Sequence, residues 1–96
     1  MNAAESLHVG RVADVGCVIC RMLGHGYVPC DVHHVAEGSG LRSWYAVAGL
    51  CPGHHTGKDG LHGMGTKRFC AAYRIPGETE WGLLVMVNEW IAKVAA

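Results

Sequence analysis

The sequence predicts a small α+β domain, with a β-hairpin and a short helix at its centre, one helix before them and helices after them. Three observations carry this. Two runs rich in β-formers, residues 27–35 and 44–48, flank the loop Gly38-Ser39-Gly40, the pattern of a hairpin with a long connection. Apolar residues recur at helical spacing at both ends of the chain, as amphipathic helices require. Beside the strands stand Cys17-Val18-Ile19-Cys20 and Cys51-Pro52-Gly53-His54, pairs spaced as in metal-binding turns.

Each element has a local reason. Asn2 and Glu5 sit at capping-box spacing, and Leu7, Val9, Val12 and Val15 carry a helical stripe up to Gly16. His8 reads as a surface or partly buried position on that helix. Gly24-His25-Gly26 is a turn, with His25 solvated. Pro29 marks the entry of the first strand or an edge. Pro52 suits the first turn of a short helix through His54 and His55, where its missing N–H costs nothing. Gly57, Gly60, Gly63 and Gly65 keep the next stretch to brief helices. Thr66 is placed to cap a helix over 67–73, with Phe69, Cys70 and Tyr73 in the core. Arg74-Ile75-Pro76-Gly77 turns the chain. Thr79 is placed to cap a last helix over 80–95, so apolar around its circumference that it must plug the core or dock against another chain, such as a second copy. Trp81 and Trp90 are read as core residues on it.

Composition narrows the class. Half of the 96 residues are apolar and 17% are charged, which is globular and fits one domain over residues 1–96. No run of about 20 apolar residues is present to span a bilayer, so no membrane partner is predicted. Net charge is zero. Even so, Arg42, Lys58, Lys67, Arg68 and Arg74 face only Asp59 between positions 42 and 74, a balance that favours an anionic partner. The five cysteines are an odd number, and the first ten residues lack an apolar run. Thiolates on a metal in a reducing interior, here the cytoplasm, therefore fit better than a secreted disulfide framework.

Cys17, Cys20, Cys51 and His54 form a Cys3His pattern for a structural zinc. Cys30 is the rival for one of these places, although a small buried residue at a strand entry is the simpler reading. The remaining histidines belong to a second task. His33 and His34 are adjacent on a strand and point to opposite faces if it is regular. His55 directly follows a zinc ligand, and His62 lies seven residues further on. His33, His55 and His62 could converge on a second metal with open positions while His34 stays free. An unligated imidazole beside a Lewis-acidic ion is the equipment of phosphodiester hydrolysis. A non-catalytic, zinc-stabilised DNA- or protein-binding module is the alternative, and it shares only the first site.

Cys17-x2-Cys20, the strand end Val32-His33-His34 and Leu50-Cys51-x2-His54-His55 resemble the HNH, or His-Me finger, nucleases over roughly positions 8 to 75. The glycine-rich continuation to His62 and the helix running into Cys17 look most like the phage Ref (recombination enhancement function) branch. The resemblance implies a ββα-metal core, DNA as substrate and a catalytic divalent cation (Mg2+, Mn2+, Ni2+ or Zn2+). It implies His34 as general base, His33, His55 and His62 as ligands of that cation, and Cys17, Cys20, Cys51 and His54 as ligands of the structural zinc. Arg42 and Lys58 are the candidates to grip neighbouring phosphates. It also implies a bacterial or phage-encoded protein working beside a recombinase filament or other phage proteins. The middle asparagine of the family name is missing from residues 44–49, and the interval from His55 to His62 exceeds the commonest HNH spacing.

Overall fold

In the computed structural model, which describes residues 1–40 and 42–95, six α-helices surround a two-stranded antiparallel sheet. Helix α1 (Ala3–Val15) starts in the anticipated capping box: the Asn2 side chain accepts the Glu5 N–H at 2.8 Å, and Glu5 Oε1 accepts the Asn2 N–H at 2.7 Å. After Gly16 comes a five-residue helix, α2 (Val18–Met22), where the C-x2-C spacing predicts only a turn. Its N-cap is Cys17, whose sulfur accepts the Cys20 N–H at 3.4 Å.

The strands are β1 (Asp31–His34) and β2 (Val47–Leu50), paired Asp31 to Leu50 through His34 to Val47. Both are shorter than predicted, and β2 begins later. Residues 27–30 are irregular because they run past the first knuckle, where the Cys17 N–H donates to the Val28 carbonyl at 2.8 Å. Trp44 and Tyr45 lie in the turn before β2. All four β2 residues are buried, so the strand lacks the alternation that would have marked it. At Gly49 the chains approach very closely: a Cβ there would stand 2.3 Å from the Gly16 carbonyl oxygen and 2.7 Å from Cys30 Sγ. This glycine lets the hairpin press against the knuckle.

Helices α3 (Pro52–His55), α4 (Leu61–Met64) and α5 (Thr66–Ala72) follow, then a 3-10 turn (Pro76–Glu78) and α6 (Gly82–Ala95). Thr66 lies inside α5, whose N-cap is Gly65 and makes no side-chain cap bond. Helix α6 starts at Gly82, later than the predicted Glu80, and packs against α1, α2, β2 and the 3-10 turn. Leu83, Met86 and Val87 are its buried contribution to a core that also holds Val12, Ile19, Leu50, Phe69 and Cys70. Burying a side chain of this size is worth roughly 1.5–3 kcal/mol, so α6 is integral to the core. Trp90 is partly buried as expected, but Trp81 precedes the helix and is 37% exposed. None of the described helices is long and apolar enough to cross a membrane.

Candidate metal centres

Two groups of ligand-type side chains meet at α3. In the first, Cys17, Cys20, Cys51 and His54 bring their sulfur and nitrogen atoms within 4.8 Å of one another. Cys20 Sγ lies 3.9 Å from Cys51 Sγ, and His54 Nδ1 lies 3.5 Å from Cys17 Sγ, 3.5 Å from Cys20 Sγ and 3.2 Å from Cys51 Sγ. A tetrahedral ion with Zn–S near 2.3 Å and Zn–N near 2.05 Å has edges of about 3.8 Å between sulfurs and about 3.5 Å from sulfur to nitrogen. The donor set fits such an ion in chemistry and in size.

Electrostatics point the same way. Burial, then hydrogen bonding and charge from Cys17 and Cys51, push the Cys20 thiol up to about 12. Three thiolates so close together need a cation to be stable as a group. Burial also lowers His54, assisted by His25 and opposed by Asp59, which favours the neutral, ligating imidazole. Cys30 is outside this group. It packs beside the core near Gly49, and burial raises its thiol, with smaller contributions from Cys17, Asp31 and Cys51.

The second group is His33, His55 and His62, whose ring nitrogens also come within 4.8 Å of one another. Each arrives from a different element. His33 is on β1, paired with Ala48. His55 is the last residue of α3 and the direct neighbour of His54, so one helical turn feeds both groups. His62 is on α4, which folds back tightly: a Cβ on Gly63 would lie 2.0 Å from the Gly57 carbonyl oxygen. Gly57, Gly60 and Gly63, read as breakers, are close-packing points as well. Ring centroids are 5.2 Å apart for His33 and His55, 5.4 Å for His33 and His62, and 4.8 Å for His55 and His62. Burial lowers the His62 pKa, helped by the charges of His55 and His33 and opposed by Glu80. Three imidazole donors, with no fourth in the group among the described residues, match a site that leaves ligand positions open.

His34 is not among the residues of this trio; its ring stands 4.5 Å from that of Trp44. Burial first, then Arg42 and His33, lowers its pKa. Arg42 is exposed but close enough to act on His34, while Lys58 is exposed in the turn between α3 and α4. A shallow hollow lined by Arg11, Asp14, Ile91, Val94 and Ala95 shares no residue with either group.

Three residues around the groups were not anticipated. Asp31 Oδ2 meets His55 Nδ1 at 3.3 Å; its place two residues before His33, on the same strand face, is a signal that could have found it. Tyr73 donates from its hydroxyl to the Asp59 carbonyl at 2.8 Å and sets its ring 5.3 Å from that of His54. Glu80, buried just before α6, meets His33 Nε2 through Oε1. Nothing local in the sequence marks it.

A family model described as recombination enhancement, RecA-dependent nuclease matches residues 2–83. The chain belongs to this family. The match takes in both ligand groups and Glu80 and ends at the start of α6. The family's description names a nuclease, RecA dependence and a role in recombination, in keeping with the branch the sequence motifs resemble. No curated protein and no solved structure matches the chain.

Proposed function

We propose that this chain is a metal-dependent endonuclease of the HNH type, a single ββα-metal domain over residues 1–96 that hydrolyses DNA phosphodiester bonds alongside a RecA-type filament. The observation that carries the reading is the convergence of His33, His55 and His62 from three elements, one covalent step from a second, thiol-rich group. Membership of a nuclease family supports the reaction class.

In this reading Cys17, Cys20, Cys51 and His54 hold a structural zinc, and His33, His55 and His62 hold a catalytic divalent ion (Mg2+, Mn2+, Ni2+ or Zn2+). When bound, that ion supplies a Lewis acid for charge on the phosphate and the departing oxygen. The chain's own residues do the rest. His34, adjacent to His33 but not in the ligand trio, takes a proton from water as the water oxygen bonds to phosphorus. The bond from phosphorus to O3′ breaks and O3′ gains a proton from solvent, leaving 3′-hydroxyl and 5′-phosphate ends. Arg42, which already acts on His34, and exposed Lys58 hold flanking phosphates as charge partners.

The test is plasmid nicking with each divalent ion and with chelator, with and without a RecA filament, on the parent and on His34→Ala, alongside metal counting. The expected result is one tight zinc and one weaker exchangeable ion per chain. His34→Ala should retain the zinc and nick about 10²–10⁴-fold more slowly, the usual contribution of a general base. Equal rates would remove His34 from the mechanism. A parent with zinc alone and no cleavage would leave only a DNA- or protein-binding module.

A further inference from the structure

Glu80 is the one buried polar or charged residue among the described residues, at 6% exposure. A carboxylate taken out of water is costly unless it is paired and hydrogen-bonded. Its partner is His33, whose Nε2 meets Glu80 Oε1, with both side chains nearly enclosed at 11% and 8% exposure. The parallel contact of Asp31 with His55 is much wetter, with the Asp31 side chain 54% exposed. Glu80 is also fixed from behind. Its N–H donates to Glu37 Oε1 at 2.8 Å, from the loop that follows β1, and its carbonyl accepts the Leu83 N–H at 3.0 Å as α6 begins. Yet Glu80 is not among the residues whose ligand atoms cluster with those of His33, His55 and His62. It therefore reaches one ring of the centre without joining the ligand set.

We propose that Glu80 is a positioning residue for the imidazole centre, fixing the orientation and tautomer of His33. An ionised carboxylate only accepts, so the His33 proton sits on Nε2 and donates to Glu80. The free lone pair is then on Nδ1, the nitrogen left to bind a cation. Such an outer carboxylate also raises the basicity of the ligating nitrogen, and its loss weakens ion binding by roughly 10–100-fold. The same contact holds Glu80 two residues before α6 begins at Gly82. The role of Glu80 toward an ion rests on reading the trio as a divalent-ion site, but its hold on His33 does not.

Two measurements on 15N-histidine-labelled full-length protein, with zinc loaded, separate these points. Long-range 1H–15N correlation without added ion reports the His33 tautomer, and Mn2+ titration followed by EPR reports the second site. The parent should show His33 protonated at Nε2. Glu80→Gln, which still accepts a hydrogen bond, should keep that tautomer and bind Mn2+ a few-fold more weakly. Glu80→Ala should mix the tautomers and weaken Mn2+ binding about 10–100-fold while retaining zinc. If Glu80→Ala fails to fold, Glu80→Asp, which keeps the charge but not the reach, should show the same mixing. An unchanged tautomer in the folded variant would overturn the proposal. So would Glu80→Gln binding Mn2+ as poorly as His33→Ala, which would make Glu80 a direct ligand. If the parent takes up no Mn2+, the divalent-ion reading falls, and the tautomer measurement still decides whether Glu80 holds His33.

Discussion

The two ligand groups share a helix and almost nothing else. The thiol-rich group closes on itself: Cys17 and Cys20 are buried, and the distances among Cys20, Cys51 and His54, and from Cys17 to His54, run from 3.2 to 3.9 Å, close to the edges of a tetrahedron. It joins the α1–α2 knuckle to the turn after β2, regions far apart in sequence. The imidazole group is wetter, with His62 exposed, and offers three donors among the described residues. Closed four-donor sites stabilise folds, whereas three-donor sites leave room for water or substrate. The comparison teaches how the roles are divided. His54 and His55, adjacent in α3, each belong to a different group; in the proposed reading, the closed site sets the direction in which the open one faces.

If that division holds, the largest effect should come from the closed site. Structural zinc contributes on the order of 10 kcal/mol in small domains, comparable with the whole 5–15 kcal/mol stability of a typical fold. Cys51→Ala, or stripping with a strong chelator, should therefore abolish the cooperative thermal transition seen by circular dichroism. The imidazole group should be lost with it, because α3 has no buried residue of its own. A Cys51→Ala protein that melts like the parent would break the comparison at its root.

A change in the open site should do the reverse. His62→Ala removes an exposed side chain from a four-residue helix, so the melting temperature should move by no more than a few degrees and the zinc count should stay at one. Uptake of the second ion and nicking should fall by more than the roughly 10–100-fold typical of losing an outer-shell partner. Titration with Mn2+ beside zinc analysis checks both halves. Loss of zinc in this variant would mean that the two groups are one cooperative unit.

How much of this was legible in the sequence differs between the groups for a physical reason. The thiol-rich group is written as two tight turns, so local spacing alone identified all four residues. The imidazole trio could be named but not placed, because its convergence depends on α4 folding back over Gly57 and Gly63, a tertiary fact that reads in sequence only as breakers. Helix α1 was legible to its cap. Helix α2 was not, since five residues offer no period. Strand β2 hid because it is buried on both faces, and Trp44-Tyr45, strong β-formers, drew the predicted strand too early. Glu80 had no local signature: its partner is 47 residues away in sequence.

The smallest predicted effect is a control that sharpens the contrast. Asn2 and Glu5 satisfy each other's backbone N–H groups at the start of α1, and α1 packs chiefly on α6 and β2, with a smaller contact on β1. Replacing Asn2 with alanine leaves orphan donors at an exposed helix end, a loss of about 1 kcal/mol. For a domain of this size that is a drop of roughly 4–8 °C in melting temperature. A cap defect acts through the stability of α1 alone, so zinc content, Mn2+ affinity and nicking rate should match the parent below the transition. If Asn2→Ala instead weakened the second ion, the imidazole trio would depend on global stability and not on local geometry alone.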